Sequence, residues 1–257
     1  MCRFLAYRGR PILLEAMIAS PSHSLIQQSL HAQESRTETN GDGFGIGWYG
    51  EHNHPGLYRE VHPAWSDDNL RSLCAHVRSH LFFAHVRAAT DTATTRANCH
   101  PFTAGRFMFM HNGQVGGYKT IRRRMESHIA DDIYASRHGT TDTETLFLIA
   151  LSLGLADNPV GAISATLRVV VAEMERSGVT APLRFTAALT DGETIWAFRW
   201  ASDGEPATLY FQRGDGGTVV VSEPFDDRRE AWIRVPSGHA LIARQDAAVE
   251  IATLNVT

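Results

Sequence analysis

The sequence contains little cysteine, no long apolar run and no excess of positive charge, and each of these absences excludes a class of protein. Its three cysteines, Cys2, Cys74 and Cys99, form no CxxC pair, which argues against a disulfide framework or a thiolate metal site. No apolar run approaches the ~20 residues of a membrane span, and Glu15 interrupts the N-terminal apolar stretch, so no signal peptide is expected. The net charge of -4 leaves no basic footprint for nucleic acid. We therefore expect a cytoplasmic protein that binds neither membrane nor nucleic acid.

The order of strand and helix signals predicts an α+β fold. Linkers rich in Pro, Ser or Gly and internal repeats are missing, so residues 1–257 are expected to form a single domain. Strand signals come first, helix signals follow, and strand signals return, which favours antiparallel sheets with segregated helices over βαβ repeats. The expected strands are 2–7, 43–50, 81–90, 106–115 with a turn at Asn112-Gly113, a hairpin at Asp191-Gly192, and segments near 207–213, 218–223, 239–244 and 247–253. The expected helices are 22–32, 70–80, and two that begin at about Asp142 and Pro159.

Two motifs suggest a cofactor or a metal, and neither has the required pattern. NGDGFGIG (40–47) has glycine at alternate positions and not the GxGxxG spacing, so it predicts a strand that another backbone or a ligand approaches closely. HVRSH (76–80) places two histidines four residues apart on a predicted helix, but it lacks the HExxH glutamate and a third ligand. Cys74 falls on the apolar face of the same helix and is expected to be buried. We therefore expect no metal and no organic cofactor.

Cys2 is notable for its position. Removal of Met1 is expected because cysteine is small, and the mature chain would then carry a thiol and an α-amine on one residue. That amine, with an ordinary pKa of about 7.7–8.0, can accept the thiol proton and later protonate a leaving amine. This is the N-terminal nucleophile arrangement, which needs no separate histidine or aspartate. A penultimate cysteine also occurs by chance, so the interpretation depends on other residues.

Four further residues supply what a thiolate attacking an amide would need. Asn112 and Gly113 offer a side-chain amide and an accessible backbone N–H for a developing oxyanion, although Asn-Gly is also an ordinary turn. Arg87 ends an apolar strand, and Asp142 begins a helix. An arginine fork and a carboxylate together would hold the two charges of a free amino acid. The alternatives are a structural ion pair for Arg87 and an N-cap for Asp142.

Five motifs in order give a family resemblance. MCRFLAY, AHVRAAT, NCHPF, MHNGQV and TDTET span residues 2–145 and resemble the glutaminase domain of class II glutamine amidotransferases, in particular the small stand-alone members of the YafJ type. VVVSEPFDD (219–227) resembles a further, weaker family segment. No single motif is specific, but the ordered set is. The resemblance implies an N-terminal nucleophile hydrolase fold, an αββα sandwich of two antiparallel sheets between helical layers.

The resemblance also implies a role for each matching residue. Carried over by position, the residues are Cys2 as nucleophile with its freed amine as base, Arg87 and the backbone near Thr90 for the substrate carboxylate, Asn112 and Gly113 for the oxyanion hole, and Asp142 for the substrate ammonium. Larger, amino-sugar-forming members carry an aromatic residue and a histidine where this chain has Ala88 and Asp91. The second change brings a negative charge near the proposed carboxylate site, which could shift the preferred γ-glutamyl substrate.

The sequence thus predicts an enzyme that cleaves the γ-amide of glutamine or of a γ-glutamyl compound through a thioester. Ammonia released in this way would need a separate acceptor protein, since no synthetase domain follows the glutaminase motifs. Three alternatives remain open. The first is a γ-glutamyl amidohydrolase for a larger metabolite, as in the ergothioneine pathway. The second is an acylase with an N-terminal cysteine, of the type that acts on bile salts or penicillins. Such an enzyme would not need Arg87 and Asp142 to bind the two charges of a free amino acid. The third is a glutamine-binding protein that retains Met1.

Overall fold

The computed structural model describes residues 2–34, 39–89, 92–245 and 247–256. The strands are β1 (Arg3–Leu13), β2 (Phe44–Trp48), β3 (Gly56–Glu60), β4 (Arg78–Val86), β5 (Phe102–Ala104), β6 (Phe107–Val115), β7 (Leu183–Thr190), β8 (Ile195–Ala201), β9 (Tyr210–Gly214), β10 (Gly217–Val221), β11 (Ile233–Arg234), β12 (His239–Ala243) and β13 (Glu250–Thr253). The helices are α1 (Glu15–Ile18), α2 (Leu25–Leu30), α3 (Asp68–His76), α4 (Tyr118–Glu126), α5 (Asp131–Tyr134), α6 (Asp142–Ser152) and α7 (Pro159–Arg176).

The strands form two antiparallel sheets. The first has the order β11-β9-β10-β1-β4-β2-β3, and the second has the order β13-β12-β8-β7-β6-β5. In the first sheet β1 lies between β10 and β4, and in the second β6 lies between β5 and β7. Cys2 therefore directly precedes an inner strand, and the MHNGQV segment (110–115) pairs with β7 beyond the end of the β5 ladder at Phe109.

Three apolar layers hold the sheets and helices together. Side chains from both sheets, such as Phe83 and Met110, form the layer between them. A second layer packs α1–α3 on the outer face of the first sheet and contains the fully buried Cys74. A third layer packs α4, α6 and α7 on the outer face of the second sheet through residues such as Phe147. The αββα sandwich predicted from the family resemblance is confirmed. Among the described helices, none has the length and apolar character that would let it cross a membrane.

The predicted helix 70–80 ends earlier than expected. Helix α3 stops at His76, Val77 is extended, and β4 begins at Arg78. The ladder with β1 explains the difference, since Arg78 pairs with Leu13 and the Val77 carbonyl accepts from the Leu14 N–H. Sheet pairing across ~65 residues of chain thus takes over a segment that local periodicity assigns to the helix. The two histidines of HVRSH consequently do not share a helical face.

The predicted turn at Asn112-Gly113 is wrong. Both residues lie inside β6, where Asn112 pairs with Thr186 and Gly113 with Phe185 of β7. An Asn-Gly pair favours a turn only when no partner strand holds it extended, and here β7 supplies that partner. The hairpin at Asp191-Gly192 is confirmed, with Gly192 at φ 94° between β7 and β8.

The alternating glycines of β2 mark a close backbone approach, as predicted. A Cβ at Gly45 would overlap the carbonyl oxygen of His100, and a Cβ at Gly47 would overlap Met108 Sδ. The segment that carries the NCHPF motif is therefore held against β2 at a distance that only glycine permits. This contact fixes the position of His100 between the two sheets.

Candidate active site

Cys2 lies directly before β1, beside the point where β4 ends. Arg3 pairs with Val86 at the end of the β1–β4 ladder, so the register brings Cys2 next to residues 87–88. The Ala88 N–H donates to Cys2 Sγ at 3.4 Å, and Sγ lies 3.6 Å from the Ala88 carbonyl oxygen. The residue is half-buried. The backbone of the strand end thus holds the thiol in one position.

The surroundings of Cys2 affect its acidity in opposite directions. Burial raises the pKa of the Cys2 thiol, because the thiolate would lose hydration there. The Ala88 N–H and the charges of Arg87 and Arg3 lower the pKa and partly offset this effect. Burial has the larger effect, so the resting group is a thiol. It needs a base before it can act as a nucleophile.

Arg87 follows β4 directly and is 3% exposed. Its Nη1 donates to the Asp42 carbonyl oxygen at 3.1 Å, and its Nη2 donates to Thr92 Oγ1 at 2.6 Å. Nη2 also lies near the carbonyl oxygens of Thr92 and Ala93. Within the described part of the chain, every acceptor of Arg87 is an uncharged oxygen. The guanidinium is therefore oriented by neutral groups, and its charge can attract a carboxylate.

Asp142 is the first residue of α6 and not its cap. Thr141 is the N-cap, since its Oγ1 accepts from the Glu144 N–H at 3.1 Å, and the alternative of Asp142 as N-cap is wrong. The Asp142 carboxylate accepts from the Val115 N–H at 2.9 Å and from the Thr143 N–H at 2.8 Å. These bonds tie the carboxylate to the end of β6 and to the helix N-terminus, where the helix dipole favours negative charge.

Asn112 points into the layer between the sheets. It lies on the same face of β6 as Met108 and Met110, which belong to the inter-sheet core, and it is 1% exposed. Neither its Nδ2 nor its Oδ1 has a hydrogen-bond partner among the described residues. Leaving a buried amide unpaired costs about 1–3 kcal/mol, and native proteins pair nearly all such groups. The side chain is thus a donor that is free to bind a ligand.

Gly113 cannot be replaced by a larger residue without moving its neighbours. A Cβ at this position would overlap the Arg184 carbonyl oxygen on β7 and His111 Nε2. Gly113 also lines a cavity, so a small substrate could approach its backbone there.

One cavity of about 300 Å³ brings the predicted residues together. Its wall includes Cys2, Arg87, Asn112, Gly113 and Asp142. Ala88, where larger family members have an aromatic residue, also lines it. Thr90 and Asp91, the remaining predicted positions, lie outside the described residues. A thiol, an unpaired amide donor, a cation and a carboxylate thus surround a space the size of a small amino-acid derivative.

Sequence reasoning missed His111, which also lines this cavity. Its Nε2 lies 3.1 Å from the Arg184 carbonyl oxygen and its Nδ1 lies 3.0 Å from Thr143 Oγ1. Because a carbonyl only accepts, Nε2 carries the proton and Nδ1 accepts from the Thr143 hydroxyl. Burial lowers the pKa of His111, so the ring is neutral. The residue is part of the MHNGQV motif, but the motif alone did not indicate this link between β6 and α6.

Sequence reasoning also assigned no role to His100, Thr92 and Arg184, which line the wall as well. Thr92 could have been suspected from its place five residues after Arg87, where a loop can fold back on the guanidinium. Within the described ranges, no group of three or more His, Cys, Asp or Glu side chains is arranged to hold a metal ion.

Comparisons with known sequences identify related proteins. The family model for class II glutamine amidotransferases matches residues 11–205. A "Probable glutamine amidotransferase DUG3" from Saccharomyces cerevisiae is 32% identical over 95% of this chain and 82% of its own length. A gamma-glutamyl-hercynylcysteine sulfoxide hydrolase from Mycolicibacterium smegmatis is 28% identical over 99% of this chain and 100% of its own length.

Comparisons with solved structures agree. A glutamine aminotransferase class-II domain protein from Silicibacter pomeroyi matches with a TM-score of 0.79 and 37% identity over 98% of this chain and 99% of its own. The glutamine phosphoribosylpyrophosphate amidotransferase of B. subtilis shares the fold, with a TM-score of 0.69 at 15% identity, and this chain covers 50% of it. Since the family model spans residues 11–205 and related chains align over nearly the full length, this chain is an enzyme of the class II glutamine amidotransferase family.

Proposed function

We propose that this enzyme hydrolyses the γ-amide of glutamine or of a γ-glutamyl amide, with Cys2 as an N-terminal nucleophile. The observation that supports this most is the buried side-chain amide of Asn112, which has no hydrogen-bond partner among the described residues and lines the same cavity as the Cys2 thiol. An oxyanion that forms when the thiol attacks a carbonyl would provide the missing acceptor. A purely structural asparagine would be expected to have a partner within the protein.

In the first half-reaction the α-amine of Cys2, freed by loss of Met1, takes the thiol proton. The sulfur attacks the carboxamide carbon and the carbonyl oxygen becomes an oxyanion, to which Asn112 Nδ2 and the Gly113 N–H donate. The ammonium of Cys2 then protonates the leaving nitrogen. The C–N bond breaks, and a γ-glutamyl thioester and ammonia or an amine remain.

In the second half-reaction water replaces the amine. Its oxygen attacks the thioester carbonyl, and its proton passes to the α-amine of Cys2. The same two donors stabilise the second oxyanion. The C–S bond then breaks and the thiolate recovers the proton, which releases glutamate and restores the enzyme.

Arg87 and Asp142 would hold the amino-acid end of the substrate. The planar guanidinium matches a carboxylate, and the Asp142 carboxylate matches an ammonium. Both groups line the cavity that contains Cys2. The backbone near Thr90 is proposed to assist Arg87. The pair favours a free amino-acid head group over the acyl substrates of bile-salt or penicillin acylases.

The mechanism requires that Met1 is removed, which intact mass of the native protein measures directly. We expect a mass without methionine, glutaminase activity, and a γ-glutamyl adduct on Cys2 after rapid quenching. Cys2→Ala should abolish both activity and adduct. Cys74→Ala is the matched control, because Cys74 is a buried thiol on α3 that packs on the outer face of the first sheet and does not line the cavity. Retention of Met1 together with inactivity would instead favour a glutamine-binding protein.

A second candidate is a γ-glutamyl amidohydrolase for a larger metabolite, which would need no ammonia acceptor. The full-length match to a gamma-glutamyl-hercynylcysteine sulfoxide hydrolase supports it. A further cavity of about 390 Å³ shares Thr92, Gly113, Gln114 and Asp142 with the first, so the site has room beyond glutamine. Comparing kcat/KM for glutamine and for γ-glutamyl amides with bulky amine groups separates the candidates. Preference for glutamine would favour a glutaminase whose ammonia passes to a separate protein.

A further inference from the structure

Two buried imidazoles, His85 and His100, lie between the sheets at the active-site end, and the mechanism above does not use them. His85 lies on the same face of β4 as Leu81 and Phe83, which belong to the inter-sheet core. His100 lines the cavity that contains Cys2. The two rings stack with their centroids 4.0 Å apart and their planes 26° apart. They are 1% and 5% exposed, so neither is a surface histidine.

Neither ring nitrogen of His100 has a hydrogen-bond partner among the described residues, whereas the backbone of His111 lies close enough to the His85 ring to raise its pKa. Together with the Asn112 amide, this leaves two polar side chains without partners on the wall of the cavity that contains Cys2. Each unpaired buried group costs stability, and an apolar residue of similar shape would avoid that cost. Polar atoms retained under these conditions indicate a ligand that pairs with them during the reaction.

The His100 ring is held by its neighbours on two sides. Phe102 meets it edge-on, with a centroid distance of 4.9 Å, and His85 covers one face. Glycine at position 45 lets the His100 backbone lie against β2. The His100 backbone thus packs on β2, while its ring packs on His85 and Phe102.

The ligand that fits this site is small and neutral. Burial lowers the pKa of both histidines, to about 3 for His85, so both rings are uncharged at neutral pH. A neutral imidazole offers one N–H donor and one acceptor nitrogen. Water and ammonia both donate and accept, and both belong to the proposed reaction. In acyl transfer the attacking water enters where the amine has left, so one site can receive each in turn.

We propose that His100, oriented by His85, binds the water that hydrolyses the γ-glutamyl thioester. The inference rests on the proposed function. A water O–H donates to the acceptor nitrogen of His100, and the water oxygen attacks the thioester carbonyl carbon. The water proton goes to the α-amine of Cys2, the C–S bond breaks, and the thiolate recovers the proton. His100 therefore orients the nucleophile and gains no proton itself.

The test separates the two half-reactions in a His100→Phe variant, which keeps an aromatic ring between His85 and Phe102 but removes both nitrogens. With glutamine, we expect a first turnover within about threefold of the wild type and a steady-state rate lower by about tenfold, near the upper range for one lost neutral hydrogen bond. Intact mass should show the γ-glutamyl adduct accumulating on Cys2. Added hydroxylamine, an alternative nucleophile that does not depend on an oriented water, should restore product release as the hydroxamate.

Two further variants guard against misfolding and nonspecific effects. His54→Phe changes one ring of an exposed stacked pair, His52 and His54, whose centroids are 5.1 Å apart, and should leave both half-reactions unchanged. His100→Gln keeps a donor and an acceptor and should retain more steady-state activity than His100→Phe. The thermal unfolding midpoint of His100→Phe should not fall, because no hydrogen bond is lost.

Three results have distinct meanings. A His100→Phe enzyme with a normal steady-state rate would overturn the inference. A slow first turnover with no accumulated thioester would also overturn it, and would assign His100 to departure of the amine. A wild-type protein that forms no γ-glutamyl adduct and hydrolyses no γ-glutamyl amide would remove the proposed function itself.

Discussion

The two halves of the cavity that contains Cys2 are built differently. The half that faces Cys2 is made by inner strands of two sheets, and its donor, Asn112, has no partner among the described residues. The half that contains Arg87 and Asp142 is made by a strand end and a helix start, and both side chains already have partners within the chain. We call these the reaction half and the recognition half.

The two halves differ in the step at which their polar groups lose or exchange hydrogen-bond partners, which is folding for one and substrate binding for the other. In the reaction half, the cost of an unpaired polar group is met during folding, so the donor is in place before charge develops on the substrate. In the recognition half, the charged groups are oriented by neutral backbone and hydroxyl groups that a substrate must share or displace. Substitutions in the reaction half should therefore change kcat, and substitutions in the recognition half should mainly change KM.

The largest effect is expected from Asn112→Leu. Loss of one oxyanion donor should lower kcat by about 10²–10³-fold, with little change in KM. The free energy of unfolding should be unchanged or higher, because an unpaired amide is replaced by an apolar group of similar size. Activity assays and urea unfolding measure the two quantities on the same protein.

Asn98 provides the matched control. It is also buried, but its side chain donates to the Ala93 carbonyl at 2.8 Å and accepts from the Thr140 N–H at 2.8 Å. Asn98→Leu should lower the free energy of unfolding by about 1–3 kcal/mol, since it leaves these groups unpaired. Equal destabilisation by the two substitutions would contradict the distinction between a paired structural asparagine and a free catalytic one.

Acid should weaken the reaction half first. Burial lowers the pKa of His85 to about 3 and that of His100 well below its usual range, while the unfolded value is about 6.5. Above pH 6.5 the histidines are neutral in both states, and the free energy of unfolding is at its full value. As the pH falls from 6.5 toward the folded pKa, only the unfolded state binds protons, so the free energy of unfolding decreases. Each histidine should remove about 1.4 kcal/mol per pH unit in that window.

Urea unfolding at pH 7.5, 6.5 and 5.5 measures this slope, and hydrogen exchange of the β4 and β6 amides shows where the structure opens. The double variant His85→Phe/His100→Phe should reduce the slope and leave the contribution of His111, whose pKa burial also lowers. If the slope were unchanged in that variant, the acid sensitivity would have to come from other groups.

These contrasts also show what the sequence could and could not predict. Cys2, Arg87 and Asp142 were predicted from local patterns and the order of motifs, because each lies at the end or start of an element, where local sequence is informative. Asn112-Gly113 was assigned to a turn, since its strand character depends on β7, ~70 residues away. The conformation of such residues depends on how their strand pairs with a distant strand, and local sequence patterns do not reveal that pairing.

The buried histidines were missed for a related reason. Leu81, Phe83 and His85 alternate, and this pattern shows that His85 shares a face with apolar residues. It does not show that the opposing sheet brings His100 against it. The prediction that α3 continues to residue 80 was wrong for the same reason, a long-range contact: β1 pairs with residues 78–79. Local patterns predicted most elements, whereas contacts between the sheets required the three-dimensional structure.

Arg87→Lys should affect recognition more than chemistry. Lysine keeps the charge but cannot donate to both Asp42 and Thr92 while also holding a carboxylate with a planar fork. We expect KM for glutamine to rise by about tenfold or more, with a smaller change in kcat. Arg59→Lys is the control, since Arg59 donates to the Cys99 carbonyl nearby but does not line the cavity. A fall in kcat with unchanged KM would place Arg87 in the reaction half.

The smallest effect is expected where the two halves meet, at Thr143. Its hydroxyl donates to His111 Nδ1, which connects β6, with Asn112 and Gly113, to the first turn of α6, with Asp142. Thr143→Val keeps the shape but leaves a buried ring nitrogen unpaired, so the free energy of unfolding should fall by about 1–2 kcal/mol.

Because Thr143 links both halves, kcat and KM should change together, each by a few-fold, which neither Asn112→Leu nor Arg87→Lys should produce. Thr143→Ser keeps the hydroxyl and should restore both constants. Thr166→Val removes a buried hydroxyl that donates to the Ala162 carbonyl within α7, far from the cavity, and should leave both constants unchanged. If Thr143→Val altered only one constant, the two halves would be positioned independently, and His111 would support the oxyanion strand alone.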